Sequence, residues 1–290
     1  AQRIMWDAVG ISIERELPRL EETAQESRQS NRKRGSLMLN PDVAMPPYIG
    51  HIDIHLHPNG YEDNAHDDDV LAGALYESGG NLYSRGVAIG KHDSKAACMI
   101  GFLEETYPTL RPKRIIDLGC SAGSSTVPYA EAWPDAEVYG IDVAAGLLRW
   151  GHARCESEGV PIHLSQMSTA NMDFEDGSFD LVASTIWGHE TTPQILSDSI
   201  AEIWRVLKPG GISFHMDVPN QPGYQGLVDQ VLNDWQIRHN GEPFWMGWAE
   251  ADLPGLMTAA GYPEDCQFSG YRKRTQGVGD WFVHGAQNPA

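Results

Sequence analysis

The chain has 290 residues, 41% of them apolar and 21% charged, enough for one large domain or one domain with a sizeable appendage. Its formal charge of −19 repels phosphate backbones, so no nucleic acid is expected as a partner. Cys98, Cys120, Cys155 and Cys266 stand far apart without a C-x-x-C pair, which argues against a disulfide frame or a cysteine zinc site and for reduced thiols in a cytoplasmic protein.

Taken in chain order, Trp6, Val9, Ile13, Leu17 and Leu20 mark an amphipathic helix, with Pro18 a potential kink. The basic cluster Arg28, Arg32, Lys33 and Arg34 reads as a solvated helix end. Residues 30–70, rich in Pro, Asn, His and Asp, read as irregular. Within them, His51, Asp53, His55 and His57 would share one face if the segment were extended. Imidazole and carboxylate are suitable metal ligands, but no recognised metal spacing is present and no metal is expected. A helix capped by Asp93 follows, with Ala96, Met99, Ile100, Leu103 and Tyr107 on one face.

From about Arg111 the pattern alternates. Strands are expected at Arg114–Leu118, Glu137–Ile141, Ile162–Ser165, Phe179–Ser184 and Gly211–Met216. Between them lie helices marked by Ala144, Leu147, Leu148 and Cys155, and by Leu196, Ile200, Ile203 and Leu207. Such alternation implies a doubly wound α/β sheet, mostly parallel, with right-handed crossovers. Residues 219–248 exceed what one crossover needs and carry Tyr224, Trp235, Phe244, Trp245 and Trp248, which reads as a lid over a substrate. Leu227, Val231 and Trp235 would form its core-facing stripe. Gln267–Arg272 and Asp280–Ala286 read as a final antiparallel hairpin. No stretch is long and apolar enough to span a bilayer, no signal-peptide pattern opens the chain, and no membrane partner is expected.

The stretch "IIDLGCSAGSST" is a strand running into a glycine loop. It lacks the Lys of a P-loop after Gly123. In the dinucleotide pattern, Ser121 and Ser124 stand where glycines are required. What remains is Asp117 at the strand end, Gly119 and Gly123, and a second acid, Asp142, about 20 residues on, where a carboxylate holds a ribose. An acid within the loop repels pyrophosphate but suits an ammonium group. A nucleoside joined to an amino acid meets both demands.

Here the sequence resembles the class I S-adenosylmethionine-dependent methyltransferases, in the branch that includes quinone-biosynthesis and other small-molecule enzymes. The matching stretches are "IIDLGCSAGSST", "VYGIDVAAGLL", "MDFEDGSFDLVAST" and "IWRVLKPGGISFHMDV". The resemblance covers residues 111–290; residues 1–110 would be an extension capping the cofactor and substrate pocket. It implies a seven-stranded sheet with a reversed last strand and S-adenosyl-L-methionine as cofactor. Asp117, Gly119, Cys120, Ser121 and Gly123 would surround the methionine part, Asp142 the ribose, and Val143 the adenine. Met167 and Ser168, with Thr169 following, stand where the family often has an Asp-Ala pair near the adenine amino group. Ser184 would close the cofactor site at the end of the fourth strand, and Tyr83 and Arg85 would meet the cofactor carboxylate.

In "STIWGHETTP", His189 is the candidate general base for a hydroxyl or phenol acceptor, with Glu190 to orient it or meet a cationic substrate. Asp217 and Asn220 are available for a magnesium-dependent pattern, but His189 stands where that pattern wants a carboxylate. The expected activity is methyl transfer to a small organic molecule, oxygen being the favoured acceptor atom and nitrogen, carbon and sulfur open. A non-catalytic sensor or scaffold is the rival, and a homodimer stays open.

Overall fold

The computed structural model describes residues 2–30, 34–58, 60–61, 65–83, 94–220, 224–274 and 279–290. Helix α1 (Gln2–Gln29) runs through Pro18 and buries Trp6, Val9 and Ala24. After β1 (Ser36–Met38) and α2 (Leu71–Tyr83) comes α3 (Ser94–Thr106), which buries Ala96, Met99 and Leu103 on the expected face. The Asp93 cap lies outside the described residues. The alternating part follows: β2 (Arg114–Leu118), α4 (Val127–Ala132), β3 (Glu137–Asp142), α5 (Ala145–Glu158), β4 (Ile162–Gln166), β5 (Phe179–Thr185), α6 (Pro193–Val206) and β6 (Leu207–Asp217). Helices α7 (Leu227–His239), α8 (Trp245–Ala249) and α9 (Leu253–Ala259) precede the hairpin β7 (Gln267–Lys273) and β8 (Asp280–Gln287).

The sheet order is β1-β4-β3-β2-β5-β6-β8-β7, parallel except where β8 meets β6 and β7. Eight strands form where seven were expected. The extra one, β1, lies in the segment read as irregular and pairs with β4 at the edge. The pairing depends on Gly35, where a Cβ would come within 2.0 Å of the Ile162 carbonyl oxygen. The Glu156 carboxylate accepts from the Arg34 and Gly35 amides and holds the entering chain.

Helices cover both faces, which is why the central strands are continuous apolar runs. On one face Ile116, Leu118, Phe179 and Val182 pack with Leu196, Ile200 and Ile203 of α6 and with Leu253 and Met257 of α9. On the other, Ile115, Leu181 and Phe214 pack with Met99, Phe102 and Leu103 of α3. Helix α6 starts at Thr192, whose side chain accepts from the Ile195 amide, and α5 ends at Gly159 with φ of 74°.

One expectation fails outside this frame and one condition is not met. Residues 51–57, within the stretch read as irregular, turn tightly, with His55 and Leu56 at φ of 53° and 56°, so the condition for the four His and Asp side chains to line one face is not met. Helix α7 does not bury its stripe, since Leu227, Val231 and Trp235 are 80%, 67% and 60% exposed. Among the described residues no helix is long and apolar enough to cross a membrane.

Candidate active site

Strand β2 lies where the chain reverses its direction of winding across the sheet, with β3 on one side and β5 on the other. Ligands of open α/β sheets bind at the carboxyl ends of the strands at such a point. Here those ends carry the glycine loop after β2, Asp142 at the end of β3, the 186–190 turn after β5, and Asp217 at the end of β6.

The loop turns by placing Gly119, Ser121 and Gly123 at φ of 62°, 50° and 75°. Two of these are glycines, for which the conformation is unstrained. Asp142 joins the loop to the next unit. One carboxylate oxygen accepts from the Ser121 amide at 2.9 Å and the other from the Ala144 amide at 2.9 Å. Burial raises its pKa, against the pull of these backbone hydrogen bonds. A carboxylate has about four acceptor positions, so there is room for a further donor. Asp117 is buried and accepts from the Thr126 hydroxyl at 2.7 Å.

Asp117, Gly119, Cys120 and Ser121 line one small polar cleft together with Ser124, Ser125, Thr185, Tyr76 and Lys95. Tyr76, Lys95 and Thr185 were not singled out from sequence; Tyr76 and Lys95 sit on helices without a motif, and only the tertiary fold brings them here. Ser184 does not reach this cleft. It is buried, and its hydroxyl meets His215 Nδ1 at 2.8 Å, because side chains alternate along β5 and its neighbour Thr185 faces the cleft. Thr169 is likewise committed, to the Ser199 hydroxyl at 2.8 Å. Met167 donates its amide to the Asp142 carbonyl, and the Val143 carbonyl accepts from Gln166. These contacts fix the backbone around Met167, Ser168 and Val143 beside Asp142. Arg85 and the side chain of Tyr83 lie outside the described residues.

The 186–190 turn packs directly on the loop. A Cβ on Gly119 would come within 2.3 Å of the Trp187 ring, and one on Gly188 within 2.5 Å of the Trp248 ring. The turn is pinned by Asp217, whose carboxylate accepts from the Gly188 and Val218 amides at 2.6 Å each and faces His189 Nδ1 at 2.6 Å. His189 is 1% exposed at its side chain. Burial lowers its pKa, but the Asp217 charge and hydrogen bond, with Glu190 and Glu242, outweigh this and raise it.

His189 Nε2 faces a second group of side chains. Glu190 Oε1 lies 3.6 Å from it and Glu242 Oε2 4.0 Å. His55 stands between the two glutamates, with Nε2 2.6 Å from Glu190 and Nδ1 2.5 Å from Glu242. Burial opposes a charge on His55, yet the two glutamates outweigh it and lift its pKa well above the ordinary value. Tyr61 donates to Glu190 at 3.4 Å and Asn240 to Glu242 at 3.1 Å. The turn at 51–57 thus has a purpose unseen in sequence: it presents His55, while His57 packs against Trp6 at 4.8 Å between ring centres. Glu242 arrives through Gly241, where a Cβ would come within 2.2 Å of the Asp53 carbonyl oxygen.

Residues 115–211 match the family model described as a methyltransferase domain. A demethylmenaquinone methyltransferase of Thermus thermophilus is 32% identical over 121 residues, covering 41% of this chain and 54% of that protein. Residues 115–211 thus carry a methyltransferase domain. A probable methyltransferase, ltbC, of Aspergillus luteorubrus is 27% identical over 188 residues, covering 60% of this chain and 63% of that protein. The chain thus spans less than two thirds of the length of either relative.

The methyltransferase fold extends beyond the matched domain. A putative O-methyltransferase from Nostoc punctiforme superposes with a TM-score of 0.55 at 15% identity, covering 98% of this chain and 72% of that one. Phosphoethanolamine N-methyltransferase 2 of Haemonchus contortus, in complex with phosphomonomethylethanolamine and S-adenosylhomocysteine, gives 0.53 at 14% identity, covering 72% of this chain and 58% of that one.

S-adenosylmethionine is the cofactor this family uses, and the residues present fit it. The Ser121 amide is committed to a carboxylate and Asp117, at the end of β2, lines the same cleft, which disfavours a phosphate and suits an ammonium group. The room left on Asp142 suits a ribose hydroxyl.

Proposed function

We propose that this protein transfers the methyl group of S-adenosylmethionine to an oxygen of a small organic acceptor held between the glycine loop and the 186–190 turn. The observation that carries this reading is the contact of Trp187 with Gly119, which sets a carboxylate-paired imidazole beside the cofactor cleft. When bound, the cofactor supplies an already activated methyl group. The work left to the chain is alignment, exclusion of water and removal of the acceptor's proton.

Asp142 holds the ribose, and Asp117 with the loop holds the amino-acid end. Lys95, at the cleft beside Tyr76, is the cation for its carboxylate. Asp217 accepts from amide N–H groups, so it accepts a hydrogen bond from His189 Nδ1–H and leaves the Nε2 lone pair facing the His55, Glu190 and Glu242 group. A hydroxyl or phenol acceptor seated there gives its proton to Nε2 as the methyl arrives. Residues 1–110 act as a cap on this site, a role supported by Tyr76, Lys95 and His55 reaching it. Residues 219–248 act as its lid, supported by Glu242 and by Trp245, whose ring lies 5.6 Å from that of His189. The negative charge supports an acceptor other than nucleic acid, and the free cysteines support a reducing, cytoplasmic setting.

The test is transfer of label from methyl-labelled S-adenosylmethionine into an extract of the native host. Label in the low-mass fraction, on a product carrying one new O-methyl group, is the expected result. Label confined to protein or nucleic acid overturns the reading, as does absence of transfer despite cofactor binding.

A further inference from the structure

His55, His189, Glu190 and Glu242 come from three separate segments, yet each offers one ligand atom, and all four atoms lie within 4.8 Å of one another. Two features of this group stay unexplained by methyl transfer alone. Glu242 is 1% exposed at its side chain, and its Oε2, directed toward His189 Nε2 at 4.0 Å, accepts no hydrogen bond among the described residues; nor does the buried Glu190 Oε2. A buried carboxylate oxygen without a donor is costly. Charge is also out of balance: with Asp217, three carboxylates face two imidazoles, a net negative charge even with both rings protonated.

We propose that these four side chains form a binding site for a divalent transition-metal ion. The donor set is two imidazoles and two carboxylates, which suits zinc and its neighbours in the first row; an all-oxygen set would suit magnesium or calcium. The Asp217–His189 pair is the arrangement that metal-ligating histidines commonly make. The ring nitrogen away from the ion keeps its proton and donates it in a hydrogen bond to a carboxylate, which fixes the tautomer and aims the other nitrogen. The unpaired oxygens of Glu242 and Glu190 gain a partner, and the ion's two charges offset the excess of carboxylates. On loading, His55 loses to solvent the proton on the ring nitrogen that meets the ion and keeps the other N–H, which still donates to one glutamate. An ion with more than four positions keeps one for an acceptor oxygen. That use rests on the proposed methyl transfer, whereas binding of the ion does not.

The test is titration of Co²⁺ into the full chain after chelator treatment, followed by visible absorption. One equivalent is expected to saturate the d–d bands, and Zn²⁺ to abolish them. His55→Ala and Glu242→Gln are each expected to weaken binding about tenfold or more, with S-adenosylhomocysteine affinity unchanged as the measure of an intact fold. His163→Ala, at the sheet edge beside Ser36, should bind Co²⁺ as the parent does. Absence of saturable binding, or binding unaltered by both cage substitutions, overturns the site. X-ray absorption of the Zn²⁺-loaded parent needs no variant: imidazole scattering with nitrogen and oxygen neighbours is expected, and a sulfur shell contradicts the assignment. Metal binding without any methyl transfer would count against the proposed function and leave the ion site standing.

Discussion

Asp217 decides what His189 can do. By accepting a hydrogen bond from Nδ1–H it leaves Nε2 free to act, and in the proposed mechanism loss of that atom removes an interaction made at the reacting centre. His189→Ala should therefore lower kcat by about 10²–10⁴ with S-adenosylhomocysteine affinity intact; a change below about threefold returns His189 to packing. At this scale the sequence was legible where function follows a local order of residues. Asp117, Gly119, Ser121, Asp142 and His189 all lie in motifs that can be read along the chain, and the structure brings them to the carboxyl end of the central strands. His55, Glu242, Lys95 and Tyr76 lie in no such motif, and nothing in one sequence places residue 55 beside residue 242. Ser184 turns to His215 while its neighbour Thr185 faces the cleft, a change of face that one position makes in a strand.

The elements divide the same way. Strands buried on both faces and helices with one apolar stripe announce themselves, so β2 to β5, α5 and the hairpin fall close to their expected bounds, whereas β6 begins at Leu207, four residues before its expected start and on a residue expected in α6. Strand β1 did not, because three residues carry too little periodicity to read and their pairing depends on Gly35 and Glu156 across the fold. Helix α7 is the instructive failure. Its stripe has the spacing of a core helix, yet Leu227, Val231 and Trp235 face outward. If residues 219–248 are a lid, the amides of α7 and α8 should gain hydrogen-exchange protection when cofactor and acceptor are both bound. Equal exchange in the free and bound states would make the segment a fixed wall.

Across the whole molecule, the sheet that positions the site also buries His215 and His284 side by side, with ring centres 5.1 Å apart. Burial brings His284 down to about 4 from an ordinary 6.5, against a weaker upward pull from Asp217. His215 is lowered too, by burial and by His284. The folded protein thus holds these rings neutral, whereas the unfolded chain takes up protons as pH falls below about 6.5. The contribution of these two rings to stability should be full above that pH and decline toward pH 4, with His284 accounting for about 3 kcal/mol. Denaturant unfolding across this range should show a shallower decline in His284→Gln; equal slopes would contradict the assignment.

The division of labour between loop and turn can be tested without knowing the acceptor. Calorimetric titration of S-adenosylhomocysteine into the parent, Asp142→Ala and His189→Ala should give one site per chain. Its affinity should be weakened by about 1–3 kcal/mol in Asp142→Ala through lost ribose hydrogen bonds and left within about twofold of the parent in His189→Ala. Absence of saturable binding, or equal affinity for the parent and Asp142→Ala, would contradict the placement of the nucleoside on which the proposed chemistry rests.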